Sequence, residues 1–327
     1  MRLAWLWFER PMERSMAIKT RKVAEGAEFG VRVAGITAEL LEDDSVREEI
    51  RKAFVKEGLI VFEDVEPTTE MQLRLSTVMG PIKEHPARKR AKAELQTGLG
   101  EIAATPTAAI FEVDGNPRVN WQPWHFDHCY TDELNYARVL RAVTVPPEGG
   151  DTLFADGIQI YNDMDPAIRA KAEDLRIVYK LDLRLGNQRY GIPGNIRELR
   201  APKDNIAEVA KQFPRAVHPS VWTRPTGEKV MHMAPYMAKC IEGMENAQGD
   251  ALFVEIWEEI TRVMKAYTHS WKPADMLIWD NLRVIHQAPG CDPKYERVMH
   301  HTTVKGDYGL GYFENGASIG ELQPSTM

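Results

Sequence analysis

The sequence lacks the features that define several large classes of protein. It has three cysteines in 327 residues and no CxxC pair, which argues against a disulfide framework or a zinc knuckle and favours a reducing compartment. No window approaches the ~20 apolar residues of a membrane span, and the apolar run near the N-terminus is too short for a signal sequence. We therefore expect a cytoplasmic protein without a membrane partner.

Motifs for nucleotides and nucleic acids are also missing. No GxGxxG follows a predicted strand, and no GxxxxGK[ST] occurs. The net charge is −7, from 48 acidic and 41 basic residues, and the short basic run over 88–92 is typical of a solvated loop. We expect a small-molecule substrate and no nucleic-acid partner.

The order of the predicted elements indicates a mainly β protein with flanking helices. The N-terminal part alternates a strand near 29–35 with two helices, one opened by a capping box of Ser45 and Glu48 and one opened by Thr69 and Gln72. Many short strands follow. This pattern favours a double-stranded β-helix, or jelly roll, over a parallel α/β sheet.

One domain is expected, over residues 23–310. An N-terminal arm, 1–22, precedes it and a C-terminal tail, 311–327, follows it. The segments 87–110 and 183–215 lack periodicity, and long irregular loops in compact domains are often lids over active sites. Both are predicted to be lid loops.

The stretch Trp124-His125-Phe126-Asp127 carries the strongest chemical signal. A histidine and a carboxylate two residues apart on a strand share one face, so both can bind one cation. His286 is the candidate third ligand, and the preceding Asp280 and Asn281 are expected to form the turn that places it. Two histidines and a carboxylate leave one side of a metal open, as in non-haem Fe(II) oxygenases. Taken alone, a His-x-Asp pair is more often a hydrogen-bonded pair on a half-buried strand than a metal site.

The last predicted strand carries an arginine on its inner face. If Arg297 points into the barrel, His301 does too, because side chains alternate along a strand. A guanidinium buried in a metal cavity needs an anion, and its geometry matches a carboxylate. The predicted anion is a co-substrate, to which Thr152 could add a hydroxyl. The alternative is a structural ion pair of Arg297, with Asp280 as the candidate partner.

Several motifs, in order, resemble the taurine dioxygenase and 2,4-dichlorophenoxyacetate dioxygenase family, the Fe(II)- and 2-oxoglutarate-dependent oxygenases. They are Trp124-His125-x-Asp127, Pro147-x-Gly149-Gly150-Asp151-Thr152, His218-Pro219, Trp279-Asp280-Asn281 with His286, and Arg297 eleven positions after that histidine. The likeness runs from about Val23 to about Asp307.

This resemblance implies roles for five residues. His125, Asp127 and His286 would ligate Fe(II), while Arg297 and Thr152 would hold the distal carboxylate of 2-oxoglutarate. O₂ would be the second co-substrate, and a substrate would be hydroxylated as 2-oxoglutarate becomes succinate and CO₂. In related halogenases a small residue replaces the carboxylate, so Asp127 favours hydroxylation. The resemblance and general frequency also imply a homo-oligomer, dimer or tetramer.

The sequence departs from this family where a second arginine holds the substrate's acidic group. That position is His301, and an imidazole is a poorer anion clamp than a guanidinium. Candidate substrate-pocket residues are Trp121, His128, Tyr130 and His301. Alternative anion binders are Arg184, Arg189 and Arg197, although a solvated surface charge is the more frequent role of any one loop arginine.

Other functions remain open at this point. A metal-dependent isomerase or hydrolase on a similar barrel would use the metal to activate water, but it leaves Arg297 without a purpose. A non-catalytic small-molecule binding protein predicts a broken ligand set, whereas this set is intact. An oxygenase acting on a protein is compatible with the sequence, and the acidic net charge argues against a nucleic-acid base as substrate.

Overall fold

The computed structural model describes residues 18–84, 98–104, 108–201 and 206–318. The strands are β1 (Lys19–Lys22), β2 (Val31–Ala34), β3 (Leu59–Glu63), β4 (Leu99–Ala103), β5 (Ile110–Val113), β6 (Asn116–Val119), β7 (Gln122–His125), β8 (Ala137–Thr144), β9 (Thr152–Asp156), β10 (Arg176–Tyr179), β11 (Ile196–Arg200), β12 (Ala216–Pro219), β13 (Val221–Thr223), β14 (Lys229–Met231), β15 (Ala238–Ile241), β16 (Tyr267–His269), β17 (Met276–Asp280), β18 (Val284–Ala288), β19 (Val298–Val304) and β20 (Tyr312–Phe313). The helices are α1 (Asp44–Glu57), α2 (Thr69–Met79), α3 (Gly157–Asp163), α4 (Pro166–Ala172), α5 (Ile206–Lys211) and α6 (Ala247–Val263), with short 3₁₀ segments at Leu40–Glu42, Leu185–Asn187 and Glu314–Gly316.

Two sheets form the barrel. The larger has the order β1-β2-β3-β17-β8-β19-β4, and the smaller has the order β16-β9-β18-β7. Their inner faces pack together in one hydrophobic cluster, in which Phe154 of the smaller sheet joins Leu277 and Trp279 of the larger. This is the double-stranded β-helix that the strand pattern predicts, and the prediction is confirmed.

Helix α1 begins at a different cap from the predicted one. The Asp43 carboxylate accepts a hydrogen bond from the backbone N–H of Ser45 at 2.7 Å, so Asp43 is the N-cap and Ser45 already lies in the first turn. Glu48 pairs with Arg51 instead of closing a capping box. Gly58, at φ 72°, ends the helix in the left-handed conformation that glycine adopts without strain.

Helix α2 begins one residue earlier than the capping pattern predicts. Thr68, not Thr69, accepts the hydrogen bond of the Met71 N–H. Both helices cover the outer face of the larger sheet, where Phe54 of α1 and Leu75 of α2 are fully buried in one cluster. Because α1 and α2 cover the outer face of the larger sheet, the inner face remains for the cavity.

The two predicted lid segments contain regular structure. In 183–215 the chain forms β11, which pairs with β5, and α5, so the prediction of an irregular loop was wrong there. Gly, Asn and Pro residues surround these short elements, and such residues are typical of loops, so the sequence pattern did not indicate a strand or a helix. In 87–110, β4 pairs with β19, while 85–97 and 105–107 lie outside the described residues. A lid role stays a prediction for both segments.

The predicted arm and tail each contain a strand that pairs with the rest of the fold. Within the predicted arm, β1 pairs with β2 of the larger sheet, and within the predicted tail, β20 pairs with β12. The remaining arm and tail, residues 1–17 and 319–327, lie outside the described residues. In the part of the chain that the structure describes, each helix is too short or too polar to cross a membrane.

Candidate active site

Two neighbouring strands bring the two histidines of the predicted metal site together. His125 at the end of β7 is the direct antiparallel partner of His286 on β18. Their ring centroids are 4.1 Å apart, and both side chains are buried. With Asp127 they form a cluster whose potential ligand atoms all lie within 4.8 Å of one another.

Asp127 reaches this cluster from a turn, not from the strand. Strand β7 ends at His125, and the next residue after Asp127, His128, has φ 60°. The expectation that His125 and Asp127 share one strand face was therefore wrong. The turn between β17 and β18 supplies the missing constraint, because Asn281 accepts from the Asp127 N–H at 2.7 Å and donates to the Asp127 carbonyl at 3.0 Å.

The two histidines are held in the neutral form. His125 Nδ1 lies 2.7 Å from the Pro123 carbonyl oxygen, so Nδ1 carries the proton and Nε2 keeps its lone pair. Burial lowers the pKa of His125, and burial together with the neighbouring His125 lowers the pKa of His286 well below its usual value. Neutral imidazoles are the form that binds metal ions.

Asp127 is held ionised. Burial alone would raise its pKa, but the charge of the Arg138 guanidinium opposes burial, and the pKa lies well below its usual range. Asp127 Oδ1 pairs with Arg138 Nη1. Among the described residues Oδ2 has no hydrogen-bond partner, although it is buried and lies 3.9 Å from His286 Nε2. A buried carboxylate oxygen facing two neutral imidazoles fits a divalent cation.

Arg297 lies just before β19 and points into the same cavity. It is 5% exposed, and its Nε and Nη2 donate to the Gly150 carbonyl oxygen at 3.2 and 3.1 Å. It forms no ion pair with a described carboxylate, and Asp280 lies instead 3.5 Å from Arg224 Nη2. The alternative of a structural pair with Asp280 was therefore wrong. Among the described residues this buried guanidinium donates to a carbonyl and to no carboxylate, so it can still bind an anion.

Thr152 lies on β9 with its hydroxyl already oriented. The Trp271 indole N–H donates to Thr152 Oγ1 at 3.0 Å, which leaves the hydroxyl hydrogen to donate elsewhere. Gly150, two residues earlier, has φ 75°, and a Cβ there would lie 2.9 Å from Arg297 Nε. The glycine lets the backbone approach the guanidinium closely.

A cavity of about 440 Å³ joins these groups. The triad, Thr152 and Arg297 all line it, so the predicted metal and co-substrate residues share one space. All four predicted substrate-pocket residues line it too, namely Trp121, His128, Tyr130 and His301. The rest of the lining is largely apolar, as is usual for small-molecule sites.

The three loop arginines lie away from the cavity lining. Arg189 Nη2 pairs with Asp250 at 2.6 Å, and Arg197 makes two 2.7 Å contacts with Glu112. Arg184 is exposed. All three are therefore surface charges, which is the more frequent role of a loop arginine.

Sequence reasoning missed Arg138. It lies on β8 on the same face as Leu140, both line the cavity, and its Nη1 pairs with the proposed ligand Asp127. The signal is present in the strand, because Arg138 shares one face with the apolar residues Leu140 and Ala142.

Known proteins resemble this chain in sequence and fold. The model of the taurine catabolism dioxygenase TauD, TfdA family matches residues 19–303. The (S)-phenoxypropionate/alpha-ketoglutarate-dioxygenase of Sphingobium herbicidovorans is 27% identical over 286 residues, which are 86% of this chain and 93% of that protein. The alpha-ketoglutarate-dependent 2,4-dichlorophenoxyacetate dioxygenase of Cupriavidus pinatubonensis is 26% identical over 278 residues, 82% of this chain and 91% of that protein.

A solved structure also resembles this chain in fold. The crystal structure of AAD-2 in complex with Mn(II) and N-oxalylglycine superposes with a TM-score of 0.68 at 23% identity, covering 90% of this chain and 100% of that chain. This agrees with the jelly roll described above. The family match spans most of the chain, so the chain belongs to the TauD/TfdA family and is an Fe(II)- and 2-oxoglutarate-dependent dioxygenase.

Proposed function

We propose that this dioxygenase hydroxylates a small organic molecule, a carboxylate, sulfonate or aromatic compound, with conversion of 2-oxoglutarate and O₂ to succinate and CO₂. The observation that carries the proposal is the single cavity that holds both the His-Asp-His cluster and the buried Arg297. A metal site alone would fit many reactions. The guanidinium in the same space calls for an anionic co-substrate.

We assign the metal to His125, Asp127 and His286. The neutral imidazoles, the ionised carboxylate and the unpartnered Oδ2 of Asp127 support this assignment. Fe(II), when bound there, supplies the centre at which the keto acid and O₂ react to oxidise a C–H bond. Arg138 holds Oδ1 of Asp127, so one oxygen of that carboxylate remains for the metal.

The distal carboxylate of 2-oxoglutarate is assigned to Arg297 and Thr152. Arg297 is buried without a carboxylate partner among the described residues, and Thr152 has its hydroxyl hydrogen available. The Gly150 carbonyl oxygen orients the guanidinium by accepting hydrogen bonds from Nε and Nη2 of Arg297. This arrangement binds the co-substrate in one orientation, with its keto acid end toward the metal ligands.

The substrate is assigned to the part of the cavity lined by Trp121, His128, Tyr130 and His301. Aromatic and apolar walls with a few polar groups suit an organic molecule with a flat or apolar body. Two relatives are named for a phenoxypropionate and a 2,4-dichlorophenoxyacetate, which are molecules with a flat, apolar body of this kind.

Two further properties stay predictions from the sequence. One is a cytoplasmic location. The other is assembly into a dimer or tetramer, which light scattering on the purified protein would test.

The test is the anaerobic visible spectrum of the protein with Fe(II) and 2-oxoglutarate. We expect a weak metal-to-ligand charge-transfer band in the wild type, no band in Asp127→Ala, and in Arg297→Ala a band that needs far more 2-oxoglutarate. A panel of organic acids and neutral aromatics is then added, and the compound that shifts the band indicates the substrate class. Retained 2-oxoglutarate decarboxylation in Asp127→Ala would contradict the ligand assignment.

A further inference from the structure

Arg138 is a buried cation beside the metal site with spare donors. Its side chain is 11% exposed, and the residue lines the cavity. On the flanking strands the residues opposite it are Trp279 and Thr303, both buried. Only Nη1 is engaged, by Asp127 Oδ1; the other guanidinium nitrogens donate no hydrogen bond to a described residue.

The formal charges in the loaded cavity do not cancel. The lining side chains that are at most 11% exposed and fully charged are Asp127, Arg138 and Arg297. A divalent metal offsets the dianionic co-substrate, and Asp127 offsets one guanidinium, so one positive charge remains. Leaving it buried without an anion is costly.

Other lining groups do not remove this charge. Glu101 lines the cavity, but its side chain is 34% exposed and lies 3.5 Å from His300 Nε2, so solvent screens its effect. Within the described chain, Arg138 and Arg297 are the lysine or arginine residues that line the cavity, and Arg297 is assigned to 2-oxoglutarate.

We propose that Arg138 binds an anionic group, carboxylate or sulfonate, of the primary substrate through the guanidinium nitrogens that Asp127 does not use. This inference rests on the proposed function. Because Arg138 contacts a metal ligand directly, the bound anion lies beside the metal. The oxidised carbon is therefore within a few bonds of the substrate's acidic group.

The test compares an anion with its neutral isostere. Phenoxyacetate and phenoxyacetamide are titrated anaerobically into protein loaded with Fe(II) and 2-oxoglutarate, and each dissociation constant is read from the shift of the charge-transfer band. The variants are Arg138→Gln, Arg138→Lys and the control Arg184→Gln, which removes an exposed arginine that is not one of the cavity-lining residues. Co(II) affinity is measured separately for each variant.

The wild type should bind phenoxyacetate at least about tenfold more tightly than the amide, equivalent to ~1.4 kcal/mol. Arg138→Gln should lose this preference, Arg138→Lys should keep part of it, and Arg184→Gln should match the wild type. A preference retained in Arg138→Gln, even with weaker Co(II) binding, would reduce Arg138 to a positioning residue for Asp127 and overturn the proposal. So would equal binding of the two probes, or no binding of phenoxyacetate, in wild type. An absent charge-transfer band would instead count against the proposed function itself.

Discussion

The side-chain amide of Asn281 makes two hydrogen bonds with the backbone of Asp127, accepting from its N–H at 2.7 Å and donating to its carbonyl at 3.0 Å. The same amide donates to Asn135 Oδ1 at 3.1 Å. Asp127 lies in a turn, so this amide fixes the carboxylate relative to the two histidines. The strand alone would not do so.

Asn281→Ala should therefore weaken metal binding. We expect a loss of about 10- to 100-fold in Co(II) affinity, as for other groups that orient metal ligands. The backbone groups left unpaired in the interior should also lower the free energy of unfolding by about 1–3 kcal/mol. Metal titration and urea unfolding of the variant measure the two effects.

Asn116→Ala is the matched control, because it removes an exposed asparagine amide that bonds only to a neighbouring carbonyl. It should leave both quantities near the wild-type values. Normal Co(II) affinity in Asn281→Ala would show that the turn positions Asp127 without the amide.

The histidine pair illustrates what the sequence can predict. His125 and His286 each lie in a recognisable motif, and each motif is a short stretch of neighbouring residues that the sequence shows directly. The two strands then pair with these histidines opposite each other. The support of Asp127 is not local, because Asn281 lies 154 residues away in the chain. Only the folded barrel brings that amide to the turn.

Arg138 and Gly150 illustrate what the sequence hides. The sequence shows an arginine in a strand and a glycine in a turn, and neither fact says what the residue touches. The pairing of Arg138 with Asp127 and the close approach of Gly150 to Arg297 depend on packing between elements. The fold class and the triad could thus be predicted, while the groups that orient them could not.

Gly150→Ala should weaken 2-oxoglutarate binding. A Cβ at Gly150 would lie 2.9 Å from Arg297 Nε and 3.0 Å from its Cδ, so the guanidinium must shift. We expect the Michaelis constant for 2-oxoglutarate to rise by about tenfold or more, equivalent to at least ~1.4 kcal/mol. Arg297→Ala should show a larger rise in the same assay.

Gly149→Ala is the control for backbone strain. Gly149 also has a positive φ, 71°, but a Cβ there would meet only the Gly290 carbonyl oxygen and Cys291, at 3.4 Å or more. Both variants carry the strain of an alanine in the left-handed region, but of the two only Gly150→Ala crowds Arg297. Equal Michaelis constants in the two variants would exclude the crowding of Arg297 as the cause.

His301→Ala should change the choice of substrate more than the affinity for 2-oxoglutarate. His301 lines the cavity from β19, four residues after Arg297 in the chain. We expect kcat/KM for the preferred substrate to fall by about tenfold relative to an analogue, the effect of one lost polar contact. The Michaelis constant for 2-oxoglutarate should change little.

Gly100→Ala tests the same site without removing the imidazole. A Cβ at Gly100 would lie 2.2 Å from His301 Nε2, so the ring must move, whereas Gly194→Ala meets nothing within 4 Å and serves as the control. Gly100→Ala should reproduce part of the change in substrate preference. If His301→Ala alters both Michaelis constants equally, His301 is not a substrate-pocket residue.

Acid should destabilise the protein through two buried histidines outside the metal cluster. Burial lowers the pKa of His218 to about 4 and that of His232 to about 3, from 6.5. Each ring donates from Nε2 to a backbone carbonyl, His218 to Thr131 at 2.8 Å and His232 to Asn281 at 2.9 Å. These bonds raise the pKa, but burial outweighs them, so both rings are neutral in the folded state at neutral pH. As pH falls below about 6.5, the unfolded chain takes up protons that the folded chain refuses.

The stability that these histidines contribute is thus complete above pH 6.5 and is lost as the pH falls toward 4 and 3. Each histidine adds a slope of up to ~1.4 kcal/mol per pH unit to the free energy of unfolding within its window. Urea unfolding of the metal-free protein at pH 7.5, 6 and 5 measures the slope. His218→Gln keeps a donor for the Thr131 carbonyl and cannot titrate. The slope of its free energy of unfolding against pH should therefore be smaller by the contribution of one proton. An unchanged slope would show that His218 does not contribute to the acid sensitivity.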